Sequence, residues 1–149
     1  VNLNVLVSNI LYFIDIRFQS RGIKIVERLD QHLPVIEADS VQISQVLVNL
    51  ITNAIHAMAG GGKITIATKR KQNQVSLVVS DTGSGMSNEV KRKIFEPFYT
   101  TKPVGEGTGL GLSVVQGIVE EHKGKILVSS SPGKGSRFEI VLPLRQMKK

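Results

Sequence analysis

Between Asp39 and Gly62 the chain admits few architectures. Ile43, Val46, Leu47, Leu50, Ile51, Ala54 and Met58 recur at three- and four-residue spacing, which predicts a helix with one apolar stripe running to about Met58. Gly60-Gly61-Gly62 ends it. The apolar period then falls to two, in strands predicted at Ile64–Thr68 and Val75–Ser80 around a polar turn at Gln72-Asn73-Gln74. A helix that is apolar on one side, followed by strands, must bury its stripe against a sheet face.

The flanking sequence extends this plan. Leu3, Leu6, Val7, Ile10, Leu11, Ile14 and Phe18 mark a first helix over 3–19, stopped by Arg21-Gly22. Ile23–Leu29 reads as a strand, and a short strand is expected at Val35–Glu37 after Pro34. Asp39 or Ser40 is the candidate cap of the second helix, because either side-chain oxygen can accept an orphan backbone N–H. From Asp81 to Gly111 glycine is dense and only Asn88–Ile94 looks helical; a loop this long in a compact domain points to function or disorder. A further helix is predicted over about Leu110–His122, then strands at Lys125–Ser130 and Arg137–Leu142 around the turn Pro132-Gly133-Lys134-Gly135. The expected fold is α/β, a two-layer sandwich of one mixed sheet covered by three helices, in one domain spanning 1–149.

Composition narrows the function classes. With no cysteine among 149 residues, disulfides and thiolate metal sites are excluded. No apolar run reaches the roughly 20 residues of a membrane helix. The formal charge is +7, yet the basic groups Lys69-Arg70-Lys71, Lys91-Arg92-Lys93 and Lys148-Lys149 lack interleaved aromatic residues, so nucleic acid is not an expected partner. The start at Val1, without Met or a basic leader, is expected of a piece of a longer protein. The domain itself is expected in the cytoplasm, with a membrane anchor left open for the parent.

Three local features carry chemistry. Asn49 and Asn53, four residues apart, share one helix face with His56 and Ala57 beside it; amide oxygens can ligate a hard cation and amide N–H groups can donate to phosphate. Asp81-Thr82-Gly83-Ser84-Gly85-Met86 follows a strand, where a carboxylate can accept from an exocyclic amine and glycines let backbone approach a flat ring. Gly105-Glu106-Gly107-Thr108-Gly109-Leu110-Gly111-Leu112 opens a helix, and free N–H groups there suit an anion. It is neither a dinucleotide fingerprint nor a P-loop. Singly, each feature also reads as a solvated asparagine pair, a plain turn or a flexible loop. Together, and in this order, they could surround one nucleotide, with Lys102 as a mobile cation for its phosphates.

These segments resemble the catalytic domain of two-component histidine kinases, in the superfamily shared with gyrase, heat-shock chaperone and mismatch-repair ATPases. Gln45–Ala54 resembles the N box, Asp81–Met86 the G1 box, Ile94–Lys102 the F box and Gly107–Leu112 the G2 box. The resemblance spans essentially the whole chain and implies a Bergerat-type ATP-binding fold with ATP and Mg²⁺ as ligands. It implies that Asn53 ligates the metal, that Asn49 and Lys102 act near the phosphates, and that Asp81 reads adenine with Gly83, Gly85 and Met86 around the base. On the phosphate side it places Thr101, Gly107, Thr108, Gly109, Leu110 and Gly111. Phe95 and Phe98 would anchor the lid. His56 is either a modest phosphate-side contact or a surface histidine. His122-Lys123-Gly124 departs from the frequent His-Gly-Gly, and His122 is read as a helix-terminal residue favoured by the dipole.

The family's phosphoacceptor helix pair is absent from this chain, and His32, His56 and His122 match no such motif. The sister ATPases carry a glutamate at the position of Asn49, where it activates water; an amide is a poor base, which favours phosphoryl transfer over hydrolysis. The implied partners are the parent's own dimerisation and histidine-phosphoacceptor domain and a downstream response-regulator receiver. The isolated domain is expected to be a monomer and the parent a homodimer. A hydrolytic ATPase, a serine kinase of the anti-sigma type and a non-catalytic nucleotide sensor are the competing readings.

Overall fold

A computed structural model describes residues 1–18, 22–58, 60–96 and 111–145. Among the described residues four helices and five strands follow in the order α1 (Leu3–Phe18), β1 (Ile23–Arg28), α2 (Ser40–His56), β2 (Gly62–Lys71), β3 (Gln74–Asp81), α3 (Asn88–Lys93), α4 (Gly111–Glu121), β4 (Lys125–Ser130) and β5 (Ser136–Pro143). The strands form one mixed sheet in the order β1-β2-β3-β5-β4. Among the described strands only the β1–β2 pair is parallel, and α2 lies in the crossover such a pair requires. Three helices, α1, α2 and α4, supply the buried stripes expected of the helical layer. The fourth, α3, is a six-residue turn of helix with no buried residue, capped by Ser87.

The core lies between helices and sheet. Ile43, Val46, Leu47, Leu50 and Ile51 of α2 are almost wholly buried, with Leu3 and Val7 of α1 and Val115 of α4. Ile64 and Ile66 of β2, Val75, Leu77 and Val79 of β3, and Phe138, Ile140 and Leu142 of β5 meet them, every second residue of each strand. Burying such a side chain contributes about 1.5–3 kcal/mol, so this stripe-on-sheet contact, rather than helix propensity, holds α2 in place.

The cap is Asp39, whose Oδ1 accepts from Gln42 N at 3.0 Å. Beneath it His122, only 6% exposed, accepts from Asp39 N through Nε2 at 3.1 Å, and its Nδ1 lies 2.8 Å from the Ile118 carbonyl. His122 follows the end of α4, as expected of a helix-terminal residue, but it is buried and ties that end to the cap of α2.

Two strand expectations change. Val35–Glu37 forms no strand; Pro34 has no N–H to give, and pairing is limited to Val1 N to Ile36 O at 2.7 Å, Ile36 N to Val1 O at 3.0 Å and Glu37 N to Leu144 O at 2.9 Å. Strands β2 and β3 run longer than expected, pairing out to Lys71↔Gln74 around Gln72-Asn73, with Gln72 at φ 55° as tight hairpin turns require. The extra length places Lys71 against Glu139, a 5%-exposed carboxylate on the sheet face away from the helices. Lys71 Nζ lies 2.8 Å from it, Ser76 Oγ donates to the same oxygen, and Arg137 reaches the other at 3.3 Å. These donors, the lysine first, hold the Glu139 carboxyl down to about 2.

Candidate nucleotide site

The site elements converge on the C-terminal half of α2. Asn49 and Asn53 stand one turn apart and half-buried, because the opposite side of the helix carries the core stripe. Asn49 Nδ2 donates to the Gly111 carbonyl at 3.1 Å. This bond ties the asparagine face to the first residue of α4. The Asn53 amide has no hydrogen-bond partner among the described residues. His56 is exposed on the last turn of α2.

The end of α2 also holds the Asp81 loop. The Ala57 carbonyl accepts from Ser84 N at 3.1 Å. A Cβ on Gly83 would lie 2.5 Å from that same carbonyl oxygen, so only glycine permits the approach. Gly85, at φ +70°, faces the Ser131 carbonyl, which a Cβ would meet at 2.0 Å. Met86 packs against the core and its N–H donates to Ser130 Oγ at 2.8 Å. Asp81 closes β3 and is 6% exposed. Its Oδ1 accepts from Gly83 N at 2.8 Å and from Ser136 N at 3.3 Å. Burial nonetheless dominates and pushes the Asp81 carboxyl up, with those two N–H groups opposing.

Of the residues expected at the site, Asn49, Asn53, His56, Asp81, Gly83, Gly85, Met86 and Gly111 are described. Contacts at Ala57 link the Asp81 loop to the end of α2, and the Asn49–Gly111 bond links α2 to the start of α4. Thr101, Lys102, Gly107, Thr108, Gly109 and Leu110 lie outside the described residues, as does Phe98, whereas Phe95 packs on the core. Sequence reasoning did not find the Ala57 carbonyl, Ser136 N–H or Ser130, since backbone groups and a common serine leave no compositional signal. Among the described residues no three of His, Cys, Asp and Glu gather as a metal cluster. A hard cation held by one amide, keeping most of its waters, needs no such cluster. A cavity of about 240 Å³ borders Asp81 on the open side of the sheet and is lined by neither Asn49 nor Asn53. Among the described residues no helix is long and apolar enough to cross a membrane.

Comparison with known proteins gives a consistent result. The family model described as histidine kinase-, DNA gyrase B-, and HSP90-like ATPase matches residues 38–146. The sensor histidine kinase ZraS of Salmonella typhi is 42% identical over 145 residues, covering 97% of this chain and 31% of that protein. The chain thus spans about a third of the length of such curated relatives. The nucleotide-free catalytic domain of histidine kinase ThkA superposes with a TM-score of 0.86 at 35% identity, covering 97% of this chain and 95% of that one. ThkA in complex with the response regulator TrrA gives 0.85 at 33%, covering 100% and 42%. Full-length ShkA in complex with AMPPNP gives 0.88 at 27% identity, covering 100% and 31%.

Proposed function

Because the chain belongs to the histidine kinase-, DNA gyrase B- and HSP90-like ATPase family, and within it pairs with histidine-kinase catalytic domains, we propose that it binds Mg-ATP and passes the γ-phosphoryl group to a histidine on a separate domain. The acceptor is the phosphoacceptor helix pair through which the parent dimerises, and the next acceptor is the receiver of a response regulator. Residues 1–149 act as one catalytic and ATP-binding domain, monomeric when isolated.

One observation carries this reading. The amide face of α2 is hydrogen-bonded to the start of α4 through Asn49 and to the Asp81 loop through Ala57. Groups suited to a metal, to phosphates and to a purine amine are therefore held as one unit. The unengaged Asn53 amide suits the metal, which would neutralise phosphate charge there. Asp81, buried and held by two N–H groups, orients a carboxylate oxygen for an exocyclic amine. Asn49 donates one amide N–H to Gly111 and offers no base to water, in keeping with transfer rather than hydrolysis. Lys102 and the backbone from Gly107 to Gly111 complete the phosphate side in this proposal. Phosphoryl transfer needs this kind of positioning and charge neutralisation more than covalent help from the protein.

Calorimetric titration with ADP, with and without Mg²⁺, tests the binding half. Asn53→Ala should abolish the gain in affinity that Mg²⁺ confers, and an undiminished gain refutes the metal assignment. Transfer of radiolabel from γ-labelled ATP to a separately made acceptor helix pair, with negligible phosphate release by the chain alone, tests the kinase half.

A further inference from the structure

The open face of the sheet carries a second concave site, which Asp81 borders but neither Asn49 nor Asn53 lines. Ser80, Arg137 and Ser129 are direct neighbours in the β3–β5–β4 registers, so their side chains stand in one row on the face opposite the helices. The β4–β5 turn brings Lys134 over the end of that row, and the four residues line the cavity of about 240 Å³. The turn is held in place: Gly133 N donates to the Ser84 carbonyl at 2.7 Å, and Gly135, at φ +78°, packs so closely that a Cβ would stand 2.0 Å from the Asp81 carbonyl.

Most donors here are unspent. Among the described residues no hydrogen bond or ion pair engages the Lys134 ammonium or the hydroxyls of Ser80 and Ser129. Arg137 uses one of its five N–H groups, on Glu139 at 3.3 Å. Glu139 is itself satisfied by Lys71 and Ser76. Asp81 borders the cavity from the strand end, but its Oδ1 already accepts two backbone N–H groups. Two cations and two hydroxyls thus converge on one hollow, with donors enough for several oxygens of one anion.

We propose that this hollow binds a phosphate group, with Arg137 and Lys134 matching its charge and Ser80 and Ser129 donating to its peripheral oxygens. The site is open to solvent, so its affinity for inorganic phosphate is expected to be weak. The site borders Asp81, which the nucleotide reading uses, but its donors Ser80, Ser129, Lys134 and Arg137 play no part in that reading.

Amide NMR of the whole chain, titrated with inorganic phosphate against sodium chloride at matched ionic strength, tests it. Saturable shifts at Ser80, Ser129, Lys134 and Arg137 are expected, and Arg137→Gln or Lys134→Gln should each weaken binding about fivefold or more. Both side chains are solvent-accessible, and the spectra themselves report whether the variants stay folded. Co-sedimentation with phosphatidylcholine vesicles containing phosphatidic acid separates the phosphate sources. Sedimentation that needs both residues assigns a lipid headgroup, and phosphate shifts without sedimentation assign a soluble phosphate. Shifts reproduced by sodium chloride, confined to Asn49 and Gly111, or unmoved by both substitutions overturn the site.

Discussion

Gly83→Ala probes the joint between the Asp81 loop and α2. The added methyl would stand 2.5 Å from the Ala57 carbonyl oxygen and 2.9 Å from its carbon, both backbone atoms that no rotamer change can clear. The loop must lift away from the helix end. Lifting strains the Ser84 N to Ala57 O bond, whose loss costs about 1 kcal/mol, on top of about 1–3 kcal/mol for an overpacked contact. A destabilisation of about 2–4 kcal/mol is expected in urea unfolding, with weaker ADP binding because Asp81 moves with the loop. Gly117→Ala is the control: it sits in α4 with nothing within 4 Å of the new methyl, so it should stabilise the domain by about 0.5–1 kcal/mol. If Gly83→Ala unfolds at the wild-type urea midpoint and binds ADP equally well, the close approach is not what positions the loop.

Three further outcomes follow from the same geometry. Asp81 has its pKa raised by burial, so its ionised form costs stability, a cost absent at low pH and incurred as pH rises through that raised value. Asp81→Asn should therefore stabilise the free domain at neutral pH while lowering ADP affinity about 10–100-fold, the worth of a hydrogen bond to a charged group; wild-type affinity should also decline on acidification earlier than an ordinary carboxylate would make it, as isothermal titration across pH would show. Glu139 behaves oppositely: held down to about 2 from 4.5, it contributes stability that is complete above the higher value and lost as pH falls through the lower, so Glu139→Gln should flatten the acid limb of a stability–pH curve. His122→Ala deprives the Asp39 N–H of its acceptor and should cost about 1–3 kcal/mol, whereas a surface histidine would cost almost nothing.

The helical layer was legible because α2 and α4 each bury one periodic stripe, and period survives in a single sequence. Strand ends were not: the apolar alternation stops at Thr68, and only Glu139, far along the chain, supplies the reason for extending β2 through Lys71. Asp39 and Ser40 are equally good caps by type, and only the Gln42 N–H distinguishes them. At the site, Asn49, Asn53 and Asp81 stood out as polar residues beside apolar runs. Their connections run instead through the Ala57 carbonyl and the Ser136 N–H, groups every residue possesses. His122 was legible as a helix-terminal residue, but not its bond to Asp39, since that partner lies 83 positions earlier.

The Asn49–Gly111 contact bears on how readily a domain like this could acquire the water-activating acid of its hydrolytic cousins. A glutamate at this position has no N–H to give, so the Gly111 carbonyl would lose the donor that now stands 3.1 Å away. The side chain would have to swing off, and the first turn of α4 would lose its strut. Acquiring that acid is therefore a two-part change, needing a repacked helix start as well as a new side chain.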